Sequence, residues 1–148
     1  MLLSRFRDRS LVAEAKAEND FVSAADRESE AAIVGFLEKH LPDHQILSEE
    51  AGRLGPGGSE YQWIVDPLDG TNNYLQGLPI WGISVACRGG EDLRAGGGFE
   101  PLGVFLCEGA RGLGARWMDV AVGVSGRGVR SGGVVATGVA VWGGGGLG

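Results

Sequence analysis

Across residues 1–87 the apolar positions follow two different periods. In SAADRESEAAIVGFLEKHLPDH the residues Ile33, Val34, Leu37 and Leu41 recur at helical spacing, Lys39 and His40 fall in the last turn, and Pro42 stops the run. Ser23 followed by Asp26 has the pattern of a capping box with the acid at its third helical position. The spacing therefore predicts a helix over 24–41. HQILSEE reads as a short strand running into the acidic pair Glu49 and Glu50, and GRLGPGGS as a flexible loop. YQWIV is an aromatic and β-branched run. GLPIWGISVAC is a second such run, with Ile83, Val85 and Cys87 on one face, and both predict strands.

The pattern changes near residue 88. Of the 28 glycines, 8 lie in residues 1–87 and 20 in residues 88–148. The first part has 7 basic and 14 acidic residues and the second 6 and 5, so they carry −7 and +1. Glycine inside a strand or helix costs roughly 0.5–1 kcal/mol relative to alanine. The second part is therefore expected to be weakly specified, with a disordered WGGGGLG tail.

WIVDPLDGTNNY places two acids at the end of a greasy strand. A buried strand that delivers carboxylates at its carboxyl end puts them at the rim where open α/β sheets bind ligands. Pro67 fixes the turn, Gly70 lets the backbone approach a ligand, and Asp66 and Asp69 can converge on one point. Thr71 is expected to cap a short helix, leaving the amides of Gly70 and Thr71 as a phosphate cradle. Two acids beside a phosphate need divalent cations between them. The plainer reading is a turn whose Asp, Pro and Gly are there for their dihedral preferences. Glu49 and Glu50 have a plain reading as a solvated acidic loop, and Asp26 as a helix cap. If the neighbouring strands run parallel, the ends of both acidic strands meet at one rim, and the combination argues for a site.

The whole chain is 148 residues with 43% apolar and 22% charged residues, which suits an ordinary globular domain. A net charge of −6 and the absence of a basic face argue against nucleic-acid binding, and no membrane association is expected. Cys87 and Cys107 lie far apart with no CxxC spacing, so neither a zinc site nor a disulfide framework is expected. MLLSRFRDRS has no apolar stretch long enough for a signal peptide, and the protein reads as cytoplasmic.

AENDFVSAAD, ILSEE and WIVDPLDGTNNYLQGLPIWGISVA, in this order and at these separations, resemble the amino-terminal half of the inositol monophosphatase family. The resemblance covers residues 1–87 strongly. It implies an α/β fold, the layered α-β-α-β-α sandwich of that family and its sugar-phosphatase relatives, here incomplete. Residues 1–87 would be the α/β part carrying the metal site, and residues 88–148 a degraded continuation of the same domain. It implies magnesium as cofactor, held by Glu49, Asp66, Asp69 and the backbone carbonyl of Leu68, with Asp66 bridging two ions. Asp26 and Thr71 would orient the attacking water, and Asp69, Gly70 and Thr71 would hold the phosphate. The phosphoryl group would pass directly to water, and the substrate would be an inositol phosphate or another small sugar phosphate.

The resemblance weakens after residue 87. FEPLG, RGLGA, VSGR and VATG stand near family landmarks, but glycine and valine replace the expected leucines, phenylalanines and acids, as in a degraded or misread sequence. The later family segment with one more metal-binding aspartate has no counterpart, and LLSRFRDRS resembles only the end of the family's first helix. Full-length relatives are commonly homodimers. The leading reading is thus a magnesium-dependent phosphatase. The alternatives are an inactive truncated fragment that keeps metal binding, a relative acting on fructose bisphosphate, phosphoadenosine phosphate or histidinol phosphate, and a non-enzymatic acidic α/β module.

Overall fold

The computed structural model describes residues 1–8, 10–11, 14–17 and 20–124. In chain order the elements are α1 (Leu2–Arg5), β1 (Glu14–Ala17), β2 (Asp20–Val22), α2 (Ala24–His40), β3 (Gln45–Ser48), β4 (Gly52–Leu54) and β5 (Tyr61–Asp69). Then follow α3 (Thr71–Leu75), β6 (Gly82–Gly89), β7 (Asp92–Glu100), β8 (Phe105–Ala110), β9 (Gly114–Trp117) and β10 (Val120–Val122). The VATG landmark and the WGGGGLG tail lie outside the described residues.

The predicted helix is α2, with the predicted cap. Ser23 is extended, its hydroxyl accepts from the Ala25 amide at 3.1 Å, and Asp26 reaches back to the Ser23 amide at 2.9 Å. Val34 and Leu37 pack against Ile46 of β3 and Val65 of β5, with Ile33, Leu41, Leu54, Trp63 and Val85 around them. Burying a Val, Leu or Ile side chain contributes about 1.5–3 kcal/mol relative to leaving it exposed. A second cluster joins Leu2, Ala25, Leu68, Tyr74 and Trp81. Its centre is Tyr74, packed edge-on against Trp81 with ring centroids 4.9 Å apart and donating its hydroxyl to the Leu2 carbonyl at 2.7 Å. An Arg5–Glu28 ion pair ties α1 to α2.

The α/β architecture expected from the sequence is present. Eight strands form one mixed sheet in the order β10-β9-β8-β7-β6-β5-β3-β4, and β1 and β2 pair separately. Within the large sheet β3 and β5 run parallel and all other neighbours antiparallel. The carboxyl ends of β3 and β5, which bear the acids, therefore lie side by side.

Four local expectations need correction. GRLGPGGS is not wholly loop, because Gly52–Leu54 pairs with β3 as β4. Gly52, at φ +72°, supplies the left-handed residue that closes a three-residue hairpin loop. YQWIV continues as strand to Asp69, with an irregular register between Asp66 and Asp69, where Pro67 has no amide to give to the ladder. The run GLPIWGISVAC becomes strand only at Gly82, since Gly77 turns back to bond the Tyr74 carbonyl and Leu78 that of Asn73. The glycine-rich part, where weakly specified structure is expected, forms paired strands as far as Val122. Gly96, Gly97 and Gly98 of β7 pair with Ala86, Val85 and Ser84 of β6 and with Gly109, Glu108 and Cys107 of β8. Ladder hydrogen bonds need only backbone, so glycine removes packing and leaves pairing. Among the described residues no helix is long and apolar enough to cross a membrane.

Candidate active site

Asp26, Glu49, Asp66, Leu68, Asp69, Gly70 and Thr71 come from α2, the β3–β4 turn, the end of β5 and the start of α3. The parallel pair aligns Ser48 with Val65, and the Glu49 amide donates to the Val65 carbonyl at 3.1 Å. This sets Glu49 beside Asp66. Burial pushes the Asp66 carboxyl above its ordinary range. The Glu49 side chain, within hydrogen-bonding reach, and the Leu68 amide pull it down, while Asp69 and Asp26 push it up. The Leu68 amide stands 3.2 Å from Asp66 Oδ1.

Asp26 divides its two oxygens. Oδ2 accepts from the Ser23 amide and, at 2.6 Å, from the Ser23 hydroxyl, so the helix-cap reading holds. Oδ1 faces the Thr71 hydroxyl at 2.8 Å, with the Leu68 carbonyl 3.0 Å from the same hydroxyl. A hydroxyl has one proton, and a carboxylate is the stronger acceptor. Thr71 therefore turns its proton to Asp26 and keeps its lone pairs for another donor. Its expected role as helix cap is not observed. Gly70 is the cap residue of α3, in the left-handed region, and Thr71 is the first helical residue. A Cβ at Gly70 would stand 2.9 Å from the Ile80 carbonyl oxygen, so both shape and φ demand glycine.

The donor chemistry fits magnesium. Glu49, Asp66, Asp69 and the Leu68 carbonyl offer oxygen only, and the like charges of Asp69 and Asp26 act on the half-buried Asp66 carboxylate. Among the described residues no three acidic, histidine or cysteine side chains already stand close enough to enclose an ion. Beside them a groove of about 630 Å³ is lined by Asp69, Gly70, Asn73, Trp81, Ser84 and Glu100 with several apolar residues.

Residues 1–141 match the sequence model of the inositol monophosphatase family. The chain belongs to that family. It is 47% identical over 102 residues to a fructose-1,6-bisphosphatase/inositol-1-monophosphatase of Aquifex aeolicus, covering 69% of this chain and 38% of that protein. It is 38% identical over 123 residues to the Nus factor SuhB of Haemophilus influenzae, covering 83% of this chain and 46% of the relative. The crystal structure of the extragenic suppressor protein SuhB of Bartonella henselae superposes with a TM-score of 0.81 at 35% identity, over 85% of this chain and 49% of that one. The chain thus spans less than half the length of the curated relatives it matches.

Within this inositol monophosphatase framework, sequence reasoning missed Ser29, Glu30 and Ser48. Ser29 donates to the Pro67 carbonyl at 2.8 Å, and the Ser48 hydroxyl donates to Glu30. The available signal was the i, i+3, i+4 spacing of Asp26, Ser29 and Glu30, which extends the buried stripe of Val34 and Leu37 toward the helix start.

Proposed function

We propose that the chain carries a magnesium-dependent phosphate monoester hydrolase site, acting on an inositol phosphate or a related small sugar phosphate. The observation that supports it most is that Glu49 and Asp69 both act on the Asp66 carboxyl at the β3–β5 rim, with Thr71 just beyond that strand end bonded to Asp26. Glu49, Asp66, Asp69 and the Leu68 carbonyl would hold the metal. Two magnesium ions, when bound, would supply a clamp on the attacking and leaving oxygens of an in-line displacement. The chain's own part is positional. Thr71 Oγ1, with its proton directed to Asp26 Oδ1, offers a lone pair to orient one proton of a water molecule. Asp69 and the amides of Gly70 and Thr71 would face the phosphate, and the adjoining groove would take the sugar.

Phosphate release from inositol 1-phosphate, with magnesium titrated and Asp66→Asn as control, tests this reading. Magnesium-dependent release that is lost in the variant is expected. An unchanged rate in Asp66→Asn, with the chain still folded, would sink the assignment. A second reading is a chain that binds magnesium without turnover, and it is motivated by a relative that is named as a Nus factor and not as a phosphatase. For that reading, calorimetry should show magnesium binding and the phosphate assay should stay flat. Fructose bisphosphate belongs in the same substrate panel, given the double name of the Aquifex relative.

A further inference from the structure

The turn that presents Glu49 has three loop residues, Glu49, Glu50 and Ala51, between the paired Ser48 and Gly52. Buried or half-buried amides need acceptors. The Glu49 amide bonds across to β5, at the Val65 carbonyl. The next two amides converge on one atom outside the sheet. Glu30 Oε1 accepts from the Ala51 amide at 2.8 Å and from the Glu50 amide at 3.2 Å, and the Ser48 hydroxyl donates to the same oxygen. Glu30 is only 9% exposed. One oxygen of its carboxylate is therefore committed to the turn.

The same face of α2 grips the other acidic segment. Ser29, 2% exposed, donates to the carbonyl of Pro67 at the β5 irregularity, and Asp26 holds Thr71. Residues at this spacing stand one above the other on a helix. One rigid helix thus holds three pieces of chain that reach the rim from different elements.

We propose that Glu30 is a positioning residue that fixes the Glu49 turn beside the Asp66 end of β5 and so presets the spacing of the carboxylates. The proposal rests on the magnesium site proposed above and adds the residue that keeps it in shape. A charge-assisted acceptor for two amides holds backbone more firmly than a neutral one. Loss of such outer partners of a metal ligand typically weakens metal affinity about 10–100-fold.

The test uses the full 148-residue chain, with Glu30→Ala, Glu30→Gln and Ser48→Ala, and Glu38→Gln as an exposed control on the same helix. Magnesium affinity is read by calorimetry. Hydrogen exchange at the Glu50 and Ala51 amides is read without metal. Glu30→Ala is expected to weaken magnesium binding about tenfold or more and to speed exchange at both amides. Glu30→Gln, which keeps a carbonyl oxygen as acceptor, should recover most of both, and Glu38→Gln should change neither. Should Glu30→Ala fail to fold, Ser48→Ala is expected to show a smaller loss of affinity in the same direction, and no loss there overturns the proposal. Faster exchange with unchanged affinity would make Glu30 a purely structural anchor and overturn it. Unchanged exchange would overturn it too. Absence of magnesium binding in the unsubstituted chain would sink the metal reading and this proposal together, a result distinct from equal affinities in the two chains.

Discussion

The β3–β5 region and the β7–β10 region are both built of paired strands, yet they differ in what lies above them. Ile46 and Val65 are 1% and 2% exposed because α2 lies across them. Trp117 and Val120, at 49% and 67%, sit in equally regular ladders with little covering them. Pairing and burial are thus separable properties of a strand. The ladder is satisfied by backbone alone, whereas apolar side chains stabilise only when another layer removes them from water.

That contrast can be broken most directly by truncation. Ile46→Ala is expected to cost about 2–5 kcal/mol, whereas Val120→Ala should stay within about 0.5 kcal/mol, both read from urea unfolding. Comparable losses would mean that the bare strands are covered in solution. Ser23→Ala removes the α2 cap and should cost about 1 kcal/mol, against a negligible change for the exposed Ser10→Ala.

Titration sharpens the contrast further. Burial pushes the Tyr74 hydroxyl up to about 12 from an ordinary 10.0. The folded chain keeps this proton where the unfolded chain releases it. Its contribution to stability is therefore complete below pH 10 and is lost as the pH climbs toward about 12. Alkaline unfolding should be shallower across that window in Tyr74→Phe, and identical curves would contradict the burial. The smallest effect concerns the thiols. Burial raises Cys87 on β6, while Cys107 on β8 is exposed. Iodoacetamide at pH 8 should label Cys107 first, as mass spectrometry would show, because the thiolate is the reactive form. Equal rates would place β6 in as open a setting as β8.

What could be read in the sequence had a period or a compact motif. Helix α2 is legible in Val34, Leu37 and its Ser23–Asp26 cap, and the rim follows from two acidic strand ends if β3 and β5 run parallel, as they do. What escaped was set by distant partners. Thr71 looked like a cap, but its hydroxyl finds Asp26, 45 positions away. Ser29 and Glu30 were hidden in DRESE, where nothing local separates Arg27, which faces out, from Glu30, which faces in. The β5 irregularity at Pro67 and the order of the glycine strands likewise depend on neighbours across the sheet.

The Tyr74–Leu2 hydrogen bond, spanning 72 positions, also constrains the order of assembly during synthesis. Helix α2 can coil as soon as its own residues leave the ribosome, since its cap and its ladder are local. The amino-terminal turn can reach α2 through Arg5 and Glu28 earlier, but its hydrogen bond to Tyr74 waits until residue 74 has emerged, by which point both acidic strand ends are already outside. A nascent chain halted just before Tyr74 would therefore hold a formed α2 and an amino-terminal cluster that still lacks its Tyr74 and Trp81 rings.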